Sequence, residues 1–301
     1  MNFPKAFKNK VKKGEFLRHH TTFGIGGEAL GWYEPLDSRE LSGFLKRLPK
    51  GADVFAIGAG SNLLARDGRV RKIFIRFSKP FFRRIDISGV RVRAGAGVSL
   101  GALARALVDQ GLTGHEFLSG IPGTLGGAVV MNAGARTVFD DPGTYREIKD
   151  IVEDVEVMDR RGRVRILGKD KITFSYRHSS LGPLFILAAS LKLRRGSVAQ
   201  GRKMIARIQR ERRTRQELSY PSVGSFLTNP RGGDSAGRLI DLCGLKGACV
   251  GGACVSSRHA NFIVNKGGAT CDDVMKLMEI IRKTVYNRYK IRLHPEVKIV
   301  G

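Results

Sequence analysis

Apolar residues recur every three or four positions in some stretches of this chain and every second position in others, and the two periods divide it into regions. Leu41, Phe44, Leu45 and Leu48 share one side of a helix predicted over 39–48. Strands are predicted at VFAIGAG (54–60), KIFIRF (72–77) and RVRAGAG (91–97). A helix over 99–110 then repeats Leu100, Leu103, Ala104 and Leu107 at helical spacing. Between 151 and 193, IVEDVEVMD, RVRIL and FILAASLKL alternate and are rich in β-branched residues, which predicts an antiparallel sheet with a turn at Arg161–Gly162. A basic helix is predicted over 198–215, with Met204, Ile205 and Ile208 as its apolar stripe. Further helices are predicted over 235–244 and up to about 287, the second carrying Val274, Leu277, Met278 and Ile281 on one face. The closing IRLHPEVKIVG puts Glu296 in a strand.

With 301 residues, 42% of them hydrophobic, the chain can bury a substantial core and fill two or three domains. There is no run of eighteen apolar residues, and the basic first twenty lack an apolar h-region. Neither a transmembrane helix nor a secretory signal is predicted, and a cytoplasmic location is the default expectation. The 53 Lys and Arg against 27 Asp and Glu give a formal charge of +26. Such a charge favours anionic partners: nucleic acid, membrane headgroups or phosphorylated small molecules. The cations are spread along the chain with no aromatic interleaving, so a generally basic surface is expected in place of a nucleic-acid-binding face, with no membrane insertion. Cys243, Cys249, Cys254 and Cys271 contain no C-x-x-C and sit among Gly, Ala and Val. They read as structural thiols in a reduced compartment, an iron–sulfur site being the minor alternative. His19 and His20 have no third ligand near them and read as surface residues, so no metal is expected.

The densest candidate chemistry lies in LSGIPGTLGGAVVMNAGA (118–135), which holds Pro122 and five glycines. It reads either as a loop and helix start that holds a phosphate or ring edge by backbone N–H groups, or as a tight turn feeding a close-packed helix. No G-x-G-x-x-G opens a helix and no G-x-x-x-x-G-K-[ST] is present. Two strands, 54–60 and 91–97, also end in glycine turns, the first leading to Ser61 and Asn62. Three such loops can converge on one phosphorylated cofactor. Within ITFSYRHSS (172–180), Tyr176 and Arg177 fall at a strand end, where an arginine either reaches an anion or sits on a surface edge. Ser225 lies in the Gly–Pro frame of YPSVGSFLTNP (220–230); with no G-x-S-x-G elbow, hydrolysis has little support. Glu296 is either an edge residue or a placed catalytic carboxylate.

In order along the chain, TTFGIGG (21–27), GAGSNLL (58–64), GIPGTLGGAVVMNAGA (120–135), SYR (175–177), PSVGSF followed by Asn229–Pro230, SSRHANFIVN (256–265) and PEV (295–297) resemble the UDP-N-acetylenolpyruvoylglucosamine reductase family, in its shorter branch. The resemblance implies an α+β protein with a bipartite FAD-binding domain of the PCMH/vanillyl-alcohol-oxidase type followed by a smaller α+β substrate-binding domain. The implied spans are 1–78 and 79–212 for the two FAD-binding subdomains and 213–301 for the UDP-sugar domain. FAD, bound non-covalently, and NADPH are the implied cofactors. FAD would be contacted by Gly58, Ala59, Gly60, Ser61, Asn62, Leu63, Gly120, Pro122, Gly123, Gly126, Gly127 and Asn132, with the isoalloxazine near Arg177. Tyr176 and Asn229 resemble substrate contacts.

The reaction so implied reduces the flavin with NADPH and then delivers hydride to the terminal carbon of an enolpyruvyl group. Ser225 resembles the donor that protonates the adjacent carbon, while Arg177 and Glu296 resemble the pair that polarises the substrate and stabilises the enol-like intermediate. A monomer is expected. The chain departs from the family at Thr228, where Lys or Arg is usual, at Arg136–Thr137 in place of Tyr–Gly, at Leu181 in place of Phe, and at Gln216–Glu217 in place of Gln–Pro. The alternatives are another FAD-dependent oxidoreductase of the same superfamily and a noncatalytic UDP-sugar-binding homologue.

Overall fold

The computed structural model describes residues 3–136 and 145–301. Thr137 therefore lies outside the described residues. The chain forms two compact units, each built from separated stretches. The first comprises Met1–Lys12, Trp32–Ala59 and Ile73–Arg212. Its largest sheet has five antiparallel strands in the order Val164–Gly168, Val152–Met158, Phe185–Lys192, Arg91–Gly95, Ile85–Ser88. The alternation in 151–193 predicts the first three. Pairing of Ala189 with Ala94 and Leu191 with Val92 adds the glycine-terminated strand from earlier in the chain. Val92, Ala94, Val155, Val157, Ala189 and Leu191 are all fully buried. At about 1.5–3 kcal/mol for each buried branched side chain, this layer dominates the unit's stability.

Two helices of this unit show how local sequence sets their ends. Ser38–Arg47 starts at Asp37, whose side chain accepts from the Glu40 N–H, and buries Leu41, Phe44 and Leu45. The helix stops one residue short of the predicted Leu48, which is extended (ψ 145°). Pro49 follows, and its ring disfavours a helical residue before it. Leu100–Asp109 starts at Ser99, whose hydroxyl accepts from the Ala102 N–H, and buries Leu100, Leu103, Ala104, Leu107 and Val108.

The second unit comprises Lys13–Gly31, Gly60–Lys72 and Arg213–Gly301. Its four-stranded antiparallel sheet runs in the order Ser222–Ser225, Phe262–Asn265, Ala253–Val255, Cys249–Val250. The helices Ala236–Leu242 and Cys271–Tyr289 bury Leu239, Ile240, Val274, Leu277, Met278 and Ile281 in one core with Val255, Ile263, Phe226 and Phe23. A capping box between Thr270 and Asp273 starts the longer helix.

Two sequence expectations are corrected here. Glu296 precedes the last strand, Lys298–Val300, which runs parallel to Leu63–Ala65. Cys249 and Cys254 face each other across a hairpin turned by Gly251 and Gly252, with Cα atoms 4.1 Å apart, and are joined as a disulfide. Only Cys243 and Cys271 are thiols, and burial pushes the Cys271 thiol up to about 11. Five positions of separation look remote in a linear reading, but antiparallel register makes them direct neighbours. Among the described residues no helix is long and apolar enough to cross a membrane.

Candidate functional site

In the first unit the three glycine turns meet as one layer. The Leu125 and Gly126 N–H groups donate to Val98 O and Ala96 O, each at 2.9 Å, and the Leu100 N–H donates to Gly123 O at 3.0 Å. These bonds join the turn after Arg91–Gly95 to the anchor stretch. The turn after Val54–Ile57 closes on the same place, because a Cβ added at Gly58 would lie 2.5 Å from Thr124 Oγ1. At Gly126 an added Cβ would lie 2.9 Å from the Ala96 Cβ. The anchor helix itself is short, Leu125–Val130; Gly126 is buried, while Pro122 and Gly127 are exposed.

No Asp or Glu occurs in 54–66 or in 118–136. The nearest acid along the anchor segment, Glu116, is buried and accepts from Thr113 Oγ1 at 2.5 Å and from the Gly114 N–H at 2.8 Å. Neighbouring His115 is fully buried, and burial pushes its pKa down, so it is neutral. A layer of close backbone approach without negative side chains suits an anionic ligand.

Arg177 belongs to this unit, at a hairpin tip and not at a strand end. Phe174–Ser175 pairs with His178–Ser179, which makes Tyr176–Arg177 the two-residue turn. Arg177 has φ +56°, a left-handed conformation worth roughly 1–3 kcal/mol of strain for a non-glycine residue. Its Nη1 donates to Gly134 O at 3.3 Å and to Tyr145 Oη. The guanidinium carbon lies 4.9 Å from the centre of the Tyr176 ring. Asn132, fully buried, donates from Nδ2 to Ser175 O at 3.0 Å and accepts at Oδ1 from the Lys149 N–H at 3.3 Å. Its side chain thus ties the hairpin to the segment after the anchor.

The second unit brings together Asn62, Ser225 and Glu296. Asn62 Nδ2 donates to Glu296 O at 3.3 Å, and the Lys298 N–H donates to Asn62 O at 3.0 Å. Leu63 pairs with Lys298, while the Thr22 N–H donates to Gly60 O at 3.3 Å. Glu296 donates its N–H to Phe226 O at 2.8 Å, and Leu227 bridges to Pro295. Ser225, one residue before Phe226, therefore lies beside the Glu296 segment, and both side chains are half-buried. Asn229 Oδ1 accepts from the Ala236 N–H at 3.0 Å. Thr228 Oγ1 donates to His294 O at 3.2 Å, a structural bond in place of the cation usual there.

Sequence reasoning assigned no role to Asn261, although it lies within SSRHANFIVN. Its Oδ1 accepts from the Leu227 N–H at 3.0 Å and its Nδ2 donates to Leu227 O at 2.7 Å, satisfying both backbone groups of a buried residue two positions after Ser225. Asn261→Ala is expected to destabilise the protein by about 3 kcal/mol, because both Leu227 groups lose their partner. The midpoint of a denaturant titration checks this, and a shift of only a few tenths of a kcal/mol would show that the clamp is dispensable.

Comparison with known proteins adds to this geometry. Residues 33–168 match the FAD binding domain family, and residues 216–300 match the C-terminal domain family of UDP-N-acetylenolpyruvoylglucosamine reductase. The chain is 39% identical over 297 residues to the UDP-N-acetylenolpyruvoylglucosamine reductase of Caldanaerobacter subterraneus subsp. tengcongensis, covering 98% of this chain and 95% of that one. With the reductase of that name from Alkalilimnicola ehrlichii it shares 41% identity over 304 residues, covering 98% of each. The crystal structure of the reductase from Thermus caldophilus superposes with a TM-score of 0.82 at 34% identity, over 97% of this chain and 99% of that one.

Proposed function

The chain belongs to the UDP-N-acetylenolpyruvoylglucosamine reductase family, and from that membership we infer that it reduces the enolpyruvyl ether of UDP-N-acetylglucosamine to UDP-N-acetylmuramate, a step in peptidoglycan synthesis. The observation that carries the reading is the succession, in one chain, of an FAD binding domain over 33–168 and the reductase C-terminal domain over 216–300. NADPH as electron source, a UDP-sugar as substrate and a cytoplasmic monomer complete the proposal.

The residues present fit FAD. Gly58 and Gly126 occupy positions that a Cβ would fill, and the surrounding segments carry no acid to repel a pyrophosphate. Gly58, Ala59, Gly123, Gly126 and Gly127 would hold it in the first unit, and Gly60 to Leu63 in the second. Bound FAD supplies hydride chemistry that no side chain can perform. Gly126→Val is expected to cost about 1–3 kcal/mol of overpacking against Ala96. Expressed in FAD affinity this is about a 5- to 150-fold rise in Kd. Fluorescence titration of the apoprotein measures it, and an unchanged Kd would remove this turn from the cofactor site.

Hydride addition to the terminal carbon of the enolpyruvyl group leaves negative charge spread from the adjacent carbon into the carboxylate. Arg177 stabilises that charge by a fixed guanidinium. Glu296 hydrogen-bonds and orients the same end of the substrate. Ser225 then transfers its hydroxyl proton to the adjacent carbon, and the serine recovers a proton from solvent. Addition of one hydride and one proton accounts for the saturated lactyl ether. Asn229 and Tyr176 contribute to holding the UDP-sugar.

An anaerobic titration tests the reading. NADPH should bleach the flavin absorbance, and UDP-N-acetylenolpyruvoylglucosamine should restore it with formation of UDP-N-acetylmuramate. Bleaching without recovery would overturn the substrate assignment, and protein that binds no flavin would overturn the redox assignment.

A further inference from the structure

We propose that Tyr145 is a positioning residue for Arg177, holding the guanidinium in place for the substrate through a neutral hydrogen bond and a ring contact. The inference rests on the reading of Arg177 as the cation that faces the substrate. Tyr145 begins the short strand Tyr145–Glu147, which pairs antiparallel with Gly134–Arg136 in the register Tyr145 to Arg136 and Glu147 to Gly134. That pairing brings two acceptors to one Arg177 nitrogen, since Nη1 donates both to Tyr145 Oη and to Gly134 O. The guanidinium carbon also lies 5.8 Å from the centre of the Tyr145 ring, within cation–π range.

Both sides of this contact are anchored independently. On the tyrosine side, the strand continues into Glu147 and Asp150, whose side chains form a reciprocal capping box. On the arginine side, Asn132 holds Ser175 O, and Ser179 Oγ donates to Val130 O at 2.9 Å. Arg177 itself sits at φ +56°, a conformation maintained by its surroundings.

The chemistry of the partner is informative. A carboxylate in the place of the phenol would pair with the guanidinium and cancel the charge that the substrate needs. A phenol and a carbonyl orient the cation and leave that charge intact. Burial pushes the Tyr145 phenol up to about 12, so it stays neutral across the physiological range.

The test compares Tyr145→Phe, Tyr145→Leu, Arg177→Lys and the Tyr145→Phe/Arg177→Lys double variant, each as holoenzyme. Three readouts are taken: flavin bleaching by NADPH, flavin recovery on adding the enolpyruvyl substrate, and UDP-N-acetylmuramate affinity by calorimetry. Tyr145→Phe should slow recovery and weaken product binding, each by about ten-fold, as loss of a hydrogen bond to a charged group predicts. Bleaching should change by less than about two-fold, since that half-reaction does not use the bond. Tyr145→Leu should lose more than Tyr145→Phe, because the ring contact goes as well. The double variant should be no worse than Arg177→Lys alone. If Arg177→Lys is impaired and Tyr145→Phe behaves as wild type, the positioning role is refuted and the reading of Arg177 stands. If Arg177→Lys is itself unimpaired, the reading of Arg177 falls and the proposal with it. Equal losses in bleaching, recovery and Tm for Tyr145→Phe would make the residue merely structural and overturn the proposal.

Discussion

Ser225→Ala is expected to slow reduction of the enolpyruvyl substrate by about 10²–10⁴-fold, the range for removing a positioned proton donor. The flavin should still be bleached by NADPH at a rate close to wild type, because that half-reaction needs no proton from Ser225. Backbone integrity argues that the loss will be chemical. Ser225 closes the strand Ser222–Ser225, its pairing with Phe262 is made by main-chain groups, and Phe226, Leu227 and Thr228 are held through Asn261 O, Asn261 Oδ1 and His294 O. Alanine leaves all of these bonds in place. Rapid-mixing absorbance of the NADPH-reduced protein against substrate reads the effect directly. Recovery within about three-fold of wild type, far inside the range for a lost general acid, would assign the proton to another group.

Arg177→Ala should lower kcat/KM for the enolpyruvyl substrate by about 10²–10³-fold, as loss of a preorganised charge-stabilising donor does. Part of that loss should appear in KM, since the guanidinium meets the carboxylate in the ground state as well as in the transition state. Relief of the left-handed strain at 177 is not expected from Ala, which tolerates φ +56° no better than Arg does. Thermal stability should therefore move little. A fall in kcat/KM of less than about five-fold, well below the effect of removing such a donor, would leave Arg177 without a part in the reaction.

Helices were the most legible part of this chain. Leu100, Leu103, Ala104 and Leu107 repeat at the period of a helix and are buried in one, and the Ser99 cap that starts it is visible in the sequence. The sheet in 151–193 was legible for the same reason, because its strands alternate. What escaped notice was pairing between distant segments. Tyr145 gave no signal of its own, since its contact to Arg177 depends on the register with Gly134–Arg136. The family position occupied by Tyr–Gly reads Arg136–Thr137 here, and the structure pairs Arg136 with a tyrosine nine positions later.

Two further misses have the same origin. Glu296 looked like a strand residue because Val297, Ile299 and Val300 are apolar, yet the regular strand starts only at Lys298. Cys249 and Cys254 become neighbours through antiparallel register, which composition does not reveal. Asn261 is the clearest case in the candidate site: its amide serves both backbone groups of Leu227, a residue remote in sequence and adjacent in space.

The bond from Asn62 to Glu296 O joins residues 234 positions apart. During synthesis, a ribosome that has just completed GAGSNLL still has most of the chain to translate before the parallel neighbour of Leu63–Ala65 exists. At about 5–20 residues per second, that wait lasts more than ten seconds. Through that interval Leu63 and Leu64, both buried in the finished fold, have no strand Lys298–Val300 beside them. Contacts of such long separation are slow to form even in a complete chain. The second unit is thus a late product of translation, and its Gly60–Leu63 turn reaches its final setting only after the segment carrying Glu296 has left the ribosome.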